Sequence, residues 1–88
     1  MILYGLKGFT HGGGYLLTLM SPQGATAVVA GLDLDPAELR LERTGGLPQV
    51  HEIADGALDR LVAAHGIVVL DFSAWQARKA ELGEAIWR

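Results

Sequence analysis

The segment Gly8-Phe9-Thr10-His11-Gly12-Gly13-Gly14 gathers residue types that can hold an anion. Glycine lets successive backbone N–H groups converge on a phosphate or carboxylate. Lys7 precedes the run, His11 lies within it and Tyr15 follows it. Lys7, His11, Gly12, Gly13, Gly14 and Tyr15 are therefore the candidate ligand-binding residues. A second group, His51, Glu52, Asp55 and Asp59, combines one imidazole with three carboxylates. On a helix these side chains would share one side, with His51 and Asp55 one turn apart. A zincin-type motif needs a second His where Asp55 stands. Acids near a helix N-terminus are favoured by the helix dipole alone. No metal is expected at this group, and no cofactor is implied elsewhere.

The His11-Gly12-Gly13-Gly14 string resembles the oxyanion-hole string of lipases and esterases. The chain has no Gly-x-Ser-x-Gly, and 88 residues are too few for that hydrolase fold. A phosphate-binding or dinucleotide loop would lead into a helix, whereas Tyr15 to Met20 reads as a strand. A hairpin loop is the plainer reading of the glycines. Asp33 and Asp35 form a pair of neighbouring carboxylates, but Asp35 has the position of a helix cap. His65 stands beside Gly66 at a helix C-terminus, where a cation is favourable. Asp71 ends an apolar run and is expected to cap the last helix.

That last helix separates two tryptophans. Trp75, Leu82 and Ile86 fall within about 20° of one another at helical spacing, which marks a core stripe. Trp87 lies roughly 100° away, on the side that carries Ala80 and Gly83. Small residues beside a Trp permit close approach, and Trp is enriched at binding hot spots. Ala80, Gly83 and Trp87 are the candidate interface residues.

Bulk chemistry narrows the function classes. Charged residues make up 19% of the chain and hydrophobic ones 50%, with a net charge of −3. With no cysteine, disulfides and thiol chemistry are excluded. Lys and Arg are scattered, so neither the basic stripe needed for nucleic acid nor the polybasic patch for acidic membranes is present. The longest apolar runs fall far short of the ~20 residues that span a bilayer. The N-terminus lacks the pattern of a signal peptide. A cytoplasmic location is expected.

The elements that must position these residues are short. Ile2 to Lys7 and Tyr15 to Met20 read as strands. Ser21-Pro22-Gln23-Gly24 has type I turn chemistry and leads to a third expected strand, Ala25 to Ala30. Asp35-Pro36-Ala37-Glu38 carries helix-start signals, predicting a short helix to Arg43 stopped by Thr44-Gly45-Gly46. The alternation in Leu39–Arg43 suits a strand instead, and Pro48 to Ile53 is open between the two. Asp55 to His65 reads as a helix ended by Gly66. Ile67 to Phe72 reads as a central strand. Ser73-Ala74-Trp75-Gln76 resembles a capping box opening the last helix.

These elements predict one α+β domain over residues 1–88: a two-layer sandwich with an N-terminal antiparallel meander, a later strand and helices packed on one sheet face. Both strand faces are apolar, so the second face calls for a partner. The reading that follows is a small non-enzymatic module acting through protein contacts, as a homodimer or against another protein. Regulators, immunity-type inhibitors and accessory subunits share this description. The alternative is a small-ligand or anion-binding protein, or an enzyme, built on the loop at His11.

Overall fold

The computed structural model describes residues 1–43 and 46–88. It contains a five-stranded mixed sheet with three α-helices packed against it, and the α+β class is as expected. β1 (Tyr4–Phe9) and β2 (Tyr15–Met20) form an antiparallel hairpin with Tyr4 opposite Met20 and Phe9 opposite Tyr15. β3 (Leu39–Glu42) and β4 (Gln49–Glu52) pair antiparallel, and β4 joins β2. β5 (Val68–Val69) runs parallel to β1. The strand order is β3-β4-β2-β1-β5.

Residues directly opposite on paired strands share a face. Leu17, Leu19 and Val50 thus face one way, and Tyr4, Leu6, Thr18, Met20 and Gln49 the other. Two cores follow from this division. On the first face Leu3, Leu17, Leu19, Leu39, Val50 and Ile67 pack with Val28 of α1 (Ala25–Gly31) and with Ala57, Leu58 and Leu61 of α2 (Ala57–His65). On the second face Tyr4 and Met20 pack with Trp75 of α3 (Phe72–Leu82) and with Ile86 of a closing 3₁₀ helix, Gly83–Trp87. The face expected to need another chain is thus partly covered by the protein's own C-terminal segment.

Four expectations are corrected. Ala25 to Ala30 is helix, not strand. The Ser21–Gly24 turn forms, with Gly24 N donating to Ser21 O at 3.0 Å, but a type I turn already has near-helical backbone angles, and the alanines favour continuing it. Thr26 then binds the Arg88 carbonyl oxygen through both its N–H (3.0 Å) and its hydroxyl (2.7 Å). Second, the helix expected from Asp35 stops as a turn. Asp35 Oδ1 accepts from Ala37 N at 2.9 Å, and Leu39–Glu42 continues as β3 because β4 offers it a hydrogen-bonding edge. Of the expected Thr44-Gly45-Gly46 stop, Thr44 and Gly45 lie outside the described residues.

Third, β5 is an edge strand with two residues. Gly66, at φ +60, ends α2 on one side. On the other, Asp71 begins α3 by accepting from Ala74 N at 2.8 Å, so little chain is left to pair. Finally, that bond makes Asp71 the N-cap of α3, as expected of it, whereas Ser73, expected to open the helix in a capping box, lies inside the helix.

Candidate functional site

The β1–β2 hairpin reaches beyond the rest of the sheet, since pairing with β4 ends at Leu16 opposite His51. Phe9 and Tyr15 are exposed there, with ring centroids 5.2 Å apart. Lys7 Nζ lies 4.9 Å from the centre of the Tyr15 ring, at cation–π distance. Thr10 closes the loop: its N–H donates to Gly14 O (2.9 Å), its carbonyl accepts from Gly13 N (3.1 Å) and its hydroxyl accepts from Gly14 N (3.0 Å). Gly13 supplies the positive φ, +83°, that this turn needs. Two of the amides expected to cradle an anion are therefore used inside the loop. His11 and Gly12 are exposed at its tip. The structure brings Lys7 and Tyr15 together and holds His11 to Gly14 in a turn that uses the Gly13 and Gly14 amides internally.

Beside the hairpin, the edge of β1 beyond β5 has no strand partner among the described residues. Leu3 O and Gly5 O accept from Val68 N (2.9 Å) and Leu70 N (2.8 Å). Backbone groups alternate in direction along a strand, so those of Lys7 and Phe9 also point outward, beyond the end of β5. Val68, Val69 and Phe72 are exposed along this side of the molecule. Phe9, 73% exposed, carries the apolar surface on to the hairpin.

At the C-terminus, Trp75 is buried and Trp87 is 46% exposed. Ala80 and Gly83 are exposed as well. Gly83, at φ +61, ends α3 and donates to Lys79 O, so the helical spacing that joined Trp87 to Ala80 and Gly83 does not continue past it. The Trp87 ring instead lies beneath Lys79, whose Nζ is 5.3 Å from its centre.

His51, Glu52, Asp55 and Asp59 do not converge. His51 and Glu52 are neighbours on β4 and point to opposite faces of the sheet. Glu52 Oε2 accepts from Leu58 N at 3.0 Å and so caps the first turn of α2. His51 Nε2 sits 3.0 Å from Glu42 Oε2 on the second face, and Arg40 Nη1 lies 3.2 Å from the same oxygen. The His51 contact lacks hydrogen-bond geometry, and among the described residues that buried nitrogen has no hydrogen-bond partner. Among the described residues, no group of three or more His, Asp or Glu is placed to hold a metal.

Sequence reasoning missed a cavity of about 260 Å³ between the second sheet face and α3. Thr18, Glu42 and Gln49 come to it from the strands, and Trp75, Lys79 and Trp87 from the C-terminal segment. The signal lay in the polar Gln49 beside Val50, but it is legible only once 49–52 is known to be a strand. No helix among the described residues is long and apolar enough to cross a membrane. Comparison of the chain with protein-family models, curated proteins and solved structures finds no match to any of them.

Proposed function

We propose that this protein is a non-enzymatic binding module that works through protein contacts at the β1–β5 side of its sheet, with a second copy of itself as the first partner. The observation that carries this reading is the unpaired outer edge of β1 from Lys7 to Phe9, flanked by exposed Phe9, Tyr15, Val68, Val69 and Phe72. An open strand edge is a template for strand addition, and exposed apolar side chains beside it add area that gains from leaving water. Antiparallel pairing of two such edges about Gly8 would set Lys7 of one copy across from Phe9 of the other, a cation beside an aromatic ring. Glycine at the two-fold axis would let the backbones meet without crowding. A cytoplasmic setting is consistent with this role.

Light scattering on a sizing column tests the reading, with wild type compared with a Phe9→Asp, Val69→Lys double variant. Both changes lie on exposed side chains, so the variant should keep the wild-type circular dichroism. The expected result is a wild-type dimer in the micromolar range and a monomeric variant. A wild-type chain that stays monomeric at ~100 μM, where even weak specific dimers associate, would overturn self-association at this edge.

A further inference from the structure

We propose that the cavity between the second sheet face and α3 is a binding site for a small aromatic carboxylate. This goes beyond protein contacts at the sheet edge and uses none of the residues on that side. The first observation is the chemistry of the floor. β2 and β4 are interior strands of the sheet, and on their other face they present Leu17, Leu19 and Val50, all fully buried. Toward the cavity they present Thr18 and Gln49 instead. Polar groups removed from water cost free energy unless hydrogen-bonded. Here their bonding is weak: Gln49 Nε2 reaches Thr18 Oγ1 only at 3.5 Å. Both are half-buried, whereas Leu17, Leu19 and Val50 on the opposite face are apolar and fully buried.

The second observation is the walls. Both tryptophans of the chain line the cavity, Trp75 from the core and Trp87 at the mouth, 46% exposed. Flat indole surfaces suit a planar ring. The third is charge. Lys79 lines the cavity and has no carboxylate within 4.0 Å among the described residues, whereas Glu42 on the strand side already has Arg40 at 3.2 Å. An anionic group is therefore favoured at the Lys79 end, with a hydrogen-bonding ring edge toward Gln49 and Thr18. At about 260 Å³, the space is just below the range of roughly 300–1,000 Å³ typical of drug-sized ligands, which points to a compact ligand of one or two rings.

The test is an NMR titration of the ¹⁵N-labelled protein with 4-hydroxybenzoate. Two control ligands divide its chemistry: 4-hydroxybenzamide lacks the charge and cyclohexanecarboxylate lacks the aromatic ring. We expect saturable shifts of both indole N–H signals and of the Gln49 side-chain amide, with each control binding at least about tenfold more weakly, the scale of one charge-assisted or stacking contact. Lys79→Gln should abolish the preference for acid over amide. Gln49→Leu should weaken binding while raising the melting temperature, an outcome that separates a ligand contact from a structural one. Shifts that do not saturate, that map to the β1–β2 hairpin, or that survive Lys79→Gln with the acid preference intact would overturn the proposal. The sheet-edge reading is judged separately, because its double variant leaves this cavity untouched.

Discussion

Replacing Trp75 by alanine probes the smaller of the two cores. The indole is 4% exposed and packs with Tyr4, Met20 and Ile86, the other buried residues of that cluster. A Trp side chain buries roughly 150–250 Å², which at about 25 cal/mol per Å² amounts to ~4–6 kcal/mol. Measured truncations of buried aromatics cost ~3–5 kcal/mol. A chain of 88 residues has a total stability of only ~4–13 kcal/mol, so the variant should be partly or wholly unfolded. Where it still folds, its melting temperature should fall by roughly 12–40 °C, at about 4–8 °C per kcal/mol for a domain of this size. Trp87→Ala removes a ring that is already half in water, plus one cation–π contact with Lys79, and should cost about 2 kcal/mol or less. Urea unfolding of the two variants, followed by far-ultraviolet circular dichroism, measures both losses. The single-Trp variants give a second readout: emission from Trp75 should lie at shorter wavelength than emission from Trp87. Equal losses from the two substitutions, or a Trp75→Ala cost below ~2 kcal/mol, would refute the division into a core indole and a contact indole.

Other positions give sharper local tests. Gly24 has φ +99, and a Cβ there would lie 3.1 Å from Arg88 backbone carbon and 3.2 Å from Ala85 O; Gly24→Ala should destabilise by ~1–3 kcal/mol in thermal melts. Asp71→Ala removes the bond to Ala74 N and should cost about 1 kcal/mol, with Asp71→Asn recovering most of it. Glu52→Gln can still accept from Leu58 N, so it should be milder than Glu52→Ala when amide exchange is followed in the first turn of α2. Phosphate titration should leave the His11 and Gly12 amide signals unmoved, since the neighbouring Gly13 and Gly14 amides are bound to Thr10 and only two are left to meet an anion; saturable shifts there would support the anion-binding reading of the loop.

What the sequence determined by itself was whatever is settled within one or two turns of chain. Gly66 ends α2 because only a residue tolerant of positive φ closes that helix. Ser21 to Gly24 make their turn, and the glycine-rich loop makes its hairpin, from local hydrogen bonds. Trp75 is buried as expected, and Leu82 and Ile86 pack in the same cluster although Gly83 ends the helix between them. Tertiary structure decided the rest. α1 has seven residues, no side-chain N-cap hydrogen bond and no charges opposing its dipole; a helix so short is marginal on its own, and Thr26 holds it to Arg88, 62 residues away. β3 and β4 are strands because they pair with each other and β4 with β2, a preference invisible in a five-residue window that suits either state. The cavity depends on both outcomes. Gln49 and Thr18 meet only through the β2–β4 register, and Lys79 and Trp87 reach them only because α3 crosses to the second face. Such a site is assembled from three distant segments, and no local pattern of residues records their meeting.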